Sequence, residues 1–258
     1  MANLGKRKRT STSRPPKRAR YPMKSRMSAK RMRTIARQVV SRNLETKHSL
    51  STRNDGVEIL HNNFIAVNQT LLATTQGTTD ANNTQGTRVG DKINLRGVSI
   101  KMMLELNERY SDVTFRILVI KSAKGDTPTR ATLFTGISGN KMLDKIDTER
   151  YTVLASKYVK LVARNAGSNG GGIGTASGIV EGSGEFTVSR ATKLVKMWIP
   201  GTKFTRNGVI TYQDNSTQPK FFDYSVLLYA YSNYSTNQDI WNVGRLNDSV
   251  IELYYKDG

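Results

Sequence analysis

From about residue 50 onward, apolar and polar residues alternate in short segments, a pattern typical of β-strands with one buried face. The segment 92–107 shows this period most clearly, with apolar residues at Val98, Ile100, Met102, Leu104 and Leu106. Ile93 and Leu95 keep the period of two but in the opposite phase, so the alternation slips by one residue next to Gly97. A β-bulge at Arg96–Gly97 would absorb the extra residue and bend the strand.

Strand-like segments recur through the rest of the chain, and no long segment after residue 50 has a clean helical period. The predicted strands are 57–66, 92–107, 113–121, 151–164 (two strands or one bent strand), 179–189, 191–200, 208–213, 224–232 and 249–256. Such strands, joined by long polar connections, favour an all-β sandwich or jelly roll over a parallel α/β sheet.

Two of the predicted strands, 113–121 and 224–232, are apolar on both faces. Because an antiparallel sandwich normally leaves one face of each sheet in water, we expect loops or neighbouring subunits to cover both sides. The connections 67–90, 122–150 and 165–178 are long, which is typical of functional or disordered loops. We expect a short helix near 141–146 within the second of these.

Basic residues are concentrated at the N-terminus. The chain has 258 residues, 40 basic and 20 acidic, for a net charge of +20. Residues 1–42 hold 15 of the basic residues and no acidic one, which leaves a net +5 on the remaining 216 residues. Counterion release makes such a segment a sequence-independent phosphate binder. The predicted nucleic-acid-binding residues are Lys6, Arg7, Lys8, Arg9, Arg14, Lys17, Arg18, Arg20, Lys24, Arg26, Lys30, Arg31, Arg33, Arg37 and Arg42.

This basic arm, residues 1–42, divides into two parts. Residues 1–27 contain three prolines and few apolar residues, so we expect them to be disordered. Residues 28–44 carry apolar residues at helical spacing among basic ones, which predicts an amphipathic helix capped by Ser28. Such a helix can lie on a membrane, bind a partner's groove, or pack its apolar stripe on its own protein. We expect the last, since the stripe is short.

Two dense clusters in the arm have the composition of a bipartite nuclear-import signal, although a generic basic tail explains them equally well. The residues of this predicted signal are Lys6, Arg7, Lys8, Arg9, Lys17, Arg18 and Arg20.

The sequence offers little for catalysis. Cysteine is absent, which excludes disulfides, thiolate metal sites and cysteine nucleophiles. The glycine-rich run 170–174 lacks the residues of a phosphate-binding loop, and His48 and His61 lie far apart. Asp144 and Asp147 have basic neighbours and are expected to form solvated ion pairs. We therefore expect no enzymatic activity, no cofactor, no metal site and, since no long apolar run occurs, no membrane span.

Specific segments of the chain resemble the capsid proteins of small circular, Rep-encoding single-stranded DNA viruses, the circovirus-like and geminivirus-like group. The segments that carry the likeness are KRKR and RPPKRAR in the arm, Gly86–Ile93 running into Leu95–Ile100, the strand Phe115–Ile120 and the aromatic strand Tyr224–Tyr231. The order of these features covers the whole chain, and the 86–101 segment is the most motif-like.

The resemblance implies a single jelly roll of two facing four-stranded antiparallel sheets over residues 50–258, the jelly-roll capsid domain. It also implies that about sixty copies assemble into an icosahedral shell, with their arms facing a circular single-stranded DNA genome. The protein would then reside in the virion and, during assembly, in the host nucleus, which it would reach through host import receptors. The arm's charge alone does not separate DNA from RNA. Arg88, Lys92, Arg96 and Lys101 either extend the basic lining or are solvated residues at strand edges.

Two other functions fit parts of the sequence. A cellular or viral nucleic-acid-binding protein that forms no shell, such as a ribosomal protein with a basic extension, would share the arm. The bodies of such ribosomal proteins are usually very basic, whereas this body carries only +5. A movement or membrane-active protein would instead use the helix at 28–44.

Overall fold

The chain divides into two compact units, residues 1–43 and 44–258. The computed structural model describes residues 28–43, 46–77, 86–107, 110, 112–136, 140–162, 191–232 and 242–257. The first unit contains helix α1 (Ala29–Asn43). The elements of the second unit are β1 (Lys47–Arg53), β2 (Val57–Leu60), β3 (Asn63–Asn68), β4 (Lys92–Leu106), β5 (Asp112–Ala123), α2 (Arg130–Leu133), β6 (Thr152–Val162), β7 (Thr192–Pro200), α3 (Gly201–Phe204), β8 (Val209–Thr211), β9 (Phe222–Tyr231) and β10 (Asn242–Asp257).

The strands form two antiparallel sheets. Sheet A has the order β1-β10-β4-β7, with β2 also paired to β10 and β8 also paired to β4, and sheet B has the order β3-β9-β5-β6. Strands β1 and β2 pair one after the other with the same edge of β10, and β7 and β8 pair in the same way with one edge of β4. The six strands of sheet A therefore occupy four positions side by side. The body is an all-β jelly roll, which confirms the predicted fold class.

The predicted bulge at Arg96–Gly97 is present in β4. Tyr254 of β10 lies opposite Gly97, while the next residue, Tyr255, lies opposite Leu95. Arg96 is therefore the extra residue, and the phase of the alternation changes there. As a result, the alternate apolar residues on both sides of the bulge face the core: Ile93, Leu95, Val98, Ile100, Met102, Leu104 and Leu106.

The main core lies between the two sheets. Alternate residues of each strand point inward, and the side chains that meet there are fully buried, for example Ile100 of β4, Phe115 of β5 and Val226 of β9. Removing a side chain of this kind typically costs about 2–5 kcal/mol, because it leaves a cavity as well as losing apolar burial. This interface is what holds sheet A on sheet B.

A second, smaller core covers the other face of sheet B. Leu118 and Leu227 point away from the main core and pack against Phe134 and Ile146, which belong to the connection between β5 and β6. The ring of Phe134 meets Tyr229 of β9 edge-on, with centroids 5.1 Å apart. The expectation that both faces of these strands are covered is confirmed, and part of the cover is the chain's own 124–151 connection.

Three predicted elements need correction or adjustment, and a fourth is not described. The predicted strand 57–66 is wrong as a single strand, because the chain turns at Asn62 (φ 52°) and passes from sheet A to sheet B between β2 and β3. The predicted helix at 141–146 is wrong: residues 141–144 form a turn, and Thr135 N–H donates to Lys145 O at 3.0 Å in an extended pairing. The short helix of this connection is α2. Segment 151–164 is one strand, β6, with a register shift, and 179–189 lies outside the described residues.

Arg88 is fully buried, which contradicts its predicted place in a basic surface lining. Its guanidinium donates to Gly90 O and, at 2.6 Å, to Ser216 O, and it lies 4.4 Å from the centre of the Tyr212 ring. A buried guanidinium must be paired in this way, because an unpaired charge in the interior is costly. Arg88 therefore joins loops that are more than a hundred residues apart in sequence.

Two buried tyrosines allow a paired test of the packing. The Tyr212 hydroxyl donates to Leu72 O at 2.8 Å, and burial raises its pKa to about 12. The Tyr255 hydroxyl is also buried but has no partner among the described residues. We expect Tyr212→Phe to lower the free energy of unfolding by about 1 kcal/mol, and Tyr255→Phe to leave it unchanged or to raise it. Chemical denaturation of both variants measures the difference, and an equal loss in both would contradict this assignment.

Candidate nucleic-acid interface

Helix α1 places part of the basic arm on a regular scaffold. The helix starts after Ser28, whose hydroxyl oxygen accepts the backbone N–H of Arg31 at 3.3 Å, as predicted for a cap. Its apolar residues are exposed, with Met32 at 52% and Val39 at 50%. The packing of this stripe on the body stays a prediction.

The charges of α1 destabilise the helix when it is isolated. Lys30, Arg31 and Arg33 are exposed, and the first turn contains no acidic residue. Cations at this end oppose the positive end of the helix dipole, and like charges three or four residues apart repel each other. A bound polyanion relieves both effects, so nucleic-acid binding and helix formation are expected to reinforce one another.

The structure describes only some of the predicted arm residues. Arg37 and Arg42 are part of α1, but their side chains are outside the described set. The remaining ten, which include the whole predicted import signal, lie outside the described residues: Lys6, Arg7, Lys8, Arg9, Arg14, Lys17, Arg18, Arg20, Lys24 and Arg26.

In the body, many carboxylates are paired with cations. Arg150 donates both Nε and Nη2 to Asp126, at 2.7 and 2.6 Å, and this contact holds the pKa of the Asp126 carboxyl below its usual range. Further pairs are Lys47–Asp257, Lys124–Asp223 and Lys160–Asp112, each with an N–O distance of 2.6 or 2.7 Å. The body thus balances much of its charge locally, whereas residues 1–42 contain no acidic side chain to do so.

The outer face of sheet A, which we define as the face turned away from the main core, carries the basic residues predicted on β4. Lys92 and Arg96 are exposed, and Lys101 forms an ion pair with Glu252 at 3.3 Å. The Tyr254 hydroxyl also donates to Glu252, and these two contacts hold the pKa of its carboxyl below the usual range. Sequence reasoning missed Lys196 of β7, which lies directly opposite Lys101 of β4. The alternation of polar and apolar residues in β7 could have placed Lys196 on the outer face.

The residues considered for catalysis are held in hydrogen bonds and ion pairs of the fold. His61 is buried and accepts the Ser232 N–H at 3.3 Å, as expected for an imidazole with a hydrogen-bond partner in the interior. Its ring lies tilted against that of Tyr231, with centroids 4.8 Å apart. Asp144 is not solvated as predicted, because it is buried in an ion pair with Lys141 at 2.6 Å. Within the described residues, no group of three or more potential metal-ligating side chains comes together.

The described helices are too short or too polar to cross a bilayer.

No protein-family model and no curated protein sequence matches this chain.

The charges on α1 give a quantitative test of the arm. Replacing Lys30, Arg31 and Arg33 with Gln removes about three phosphate contacts. The slope of log affinity against log salt for single-stranded DNA should therefore become shallower by about 2. Fluorescence anisotropy over a salt series measures this slope. The control removes the same charge from the body by changing Lys124, Lys145 and Lys160 to Gln, and an equal change of slope there would contradict the assignment of binding to the arm.

Proposed function

We propose that this protein is a viral capsid protein that assembles into an icosahedral shell and packages a circular single-stranded DNA genome through its basic arm. The observation that carries the proposal is the separation of charge: fifteen basic residues in 1–42, with no acidic residue among them, precede a jelly roll with a net charge of only +5, in which many carboxylates are paired with cations. The resemblance of the 86–101 segment and of the arm to circovirus-like and geminivirus-like capsid proteins supports the same conclusion.

The charge of the arm is on the scale that genome packaging requires. About sixty arms of fifteen charges each bring roughly 900 positive charges, a substantial share of the phosphates in a genome of a few thousand nucleotides. Neutralisation of this kind is independent of sequence, which suits a protein that confines a whole genome. The import-signal clusters in the arm support a nuclear stage, in which host import receptors bind the protein before assembly.

Exposed apolar residues on sheet B suit contacts between copies. We call Leu143, Tyr158 and Val162 the β6 patch: they lie on the edge strand β6 and on the turn beside it, and are 79%, 53% and 54% exposed. The turn is tied to the strand, because the Tyr158 hydroxyl donates to Met142 O at 3.3 Å. Exposed apolar groups of this kind on a small domain are typical of protein–protein interfaces.

Assembly is the direct test of the proposal. Purified full-length protein, mixed with single-stranded DNA and observed by electron microscopy and light scattering, should form closed particles that contain nucleic acid. Deleting residues 1–42 should abolish most nucleic-acid retention while the body still folds, as followed by circular dichroism. A full-length protein that stays monomeric at high concentration with nucleic acid present would rule out the capsid function and favour a nucleic-acid-binding protein that forms no shell.

The β6 patch gives a point-mutation test. Leu143→Asp places a charge at a side chain that is 79% exposed, so the fold should be retained while subunit contacts are lost. We expect the particle fraction in sedimentation to fall at least about tenfold, which corresponds to roughly 1.4 kcal/mol in the assembly equilibrium. Leu143→Met keeps the apolar surface and should assemble normally. Equal assembly of the Asp and Met variants would show that the patch is not a contact.

A further inference from the structure

Three rings from three strands meet on the outer face of sheet A. We call His48 of β1, Tyr254 of β10 and Trp198 of β7 the aromatic row. The ring centroids of Tyr254 and Trp198 lie 5.5 Å apart, and those of His48 and Tyr254 lie 6.5 Å apart. Trp198 is 54% exposed and His48 is also exposed, so the row presents ring surface to the solvent.

The row exists because of Gly97. Tyr254 and Trp198 belong to strands that are not neighbours, since β4 lies between them. Strands two positions apart are separated by about 9.6 Å, so rings on them normally do not touch. A Cβ atom on Gly97 would collide with the Trp198 indole, so the missing side chain lets that ring lie across β4 and reach Tyr254. The bulge at Arg96–Gly97 therefore has a consequence at the surface as well as in the core.

A hydrogen bond to Glu252 fixes the position of Tyr254. Its hydroxyl donates to Glu252 at 2.8 Å, and Glu252 is also paired with Lys101. The negative charge of Glu252 is thereby offset by Lys101. The ring faces are left as the accessible part of the row.

Cations flank the aromatic row along the strands. Arg96, the extra residue of the bulge, is exposed beside Gly97, and Lys92 is exposed further along β4. On the other side, Lys196 of β7 lies directly opposite Lys101 and adds positive charge next to the Lys101–Glu252 pair. Lys196 is exposed and forms no ion pair within the described part of the chain. The face thus combines ring surfaces with positive charge on both sides.

From this arrangement we infer that the outer face of sheet A is a second nucleic-acid site, at which unpaired bases stack on Trp198 and Tyr254 while phosphates contact the flanking cations. The chemistry selects single strands, because the bases of a duplex are already stacked and cannot offer their faces. This inference rests on the proposed function, because that function is what brings single-stranded nucleic acid to the protein. It adds a site that binds bases, whereas the arm is proposed to bind phosphates alone.

Two oligonucleotides separate the base-binding site from the arm. The full-length protein is titrated with a thymidine oligonucleotide and with an abasic oligonucleotide of the same length, in salt high enough to weaken the arm. Trp198→Ala should weaken binding of the thymidine oligonucleotide by about 5- to 150-fold and leave binding of the abasic one unchanged. Trp198→Phe, which keeps a ring, should recover much of the loss. The matched control is Leu194→Ala on the same strand and face, where the side chain is 51% exposed and little change is expected.

Fluorescence gives a second readout that does not depend on affinity. The chain has two tryptophans, so Trp241→Phe leaves Trp198 as the single reporter. Stacking should quench its emission with the thymidine oligonucleotide but not with the abasic one. Equal quenching by both, or none with either, would overturn the inference.

The remaining outcomes separate this inference from the proposed function. If Trp198→Ala leaves thymidine binding unchanged but removes particles, the face is a contact between copies and the base-binding site is wrong. If, at a low salt concentration at which the arm binds, the abasic oligonucleotide binds equally well after Lys30, Arg31 and Arg33 are changed to Gln, the arm assignment fails. The result for Trp198 is independent of that outcome.

Discussion

The central strands of sheet B, β5 and β9, are apolar on both faces, and the architecture of the body follows from the need to bury both. One face packs on sheet A and forms the main core. The other requires a second cover, which the 124–151 connection supplies through Phe134 and Ile146. A long connection that would otherwise be expected to be a mobile loop is thereby held in place by the strands that it covers.

Because of this constraint, the outer faces of the two sheets differ in how much of them is exposed. The outer face of sheet B is largely occupied by the chain itself, whereas that of sheet A carries exposed side chains such as Trp198 and Lys196. Charge is divided in a similar way, since the body pairs many of its cations and the arm has no acidic residue. The chain therefore concentrates positive charge in residues 1–42 and places the contacts that depend on rigid geometry in the body.

Periodicity in the sequence predicted the strands whose faces differ in polarity, and it located the bulge at Arg96–Gly97. It failed where burial is decided by partners that are distant in sequence. Strand β1 (KHSLSTR) is polar and forms because β10 offers it an edge, which no local pattern shows. Arg88 looks like a surface cation, and only the loop around Ser216 makes its burial possible. The aromatic row was equally hidden, since Tyr254 and Trp198 meet only across a third strand.

Strand β10 lies between β4 and the β1–β2 edge, yet it is the last of the described strands in chain order. During synthesis, β1, β2 and β4 leave the ribosome long before their common partner exists, so sheet A cannot close until β10 has been made. Non-local pairing of this kind slows folding and leaves strand edges exposed for longer. A chain that terminates before β10 therefore lacks the strand that joins β1 and β2 to β4, and it cannot complete the jelly roll.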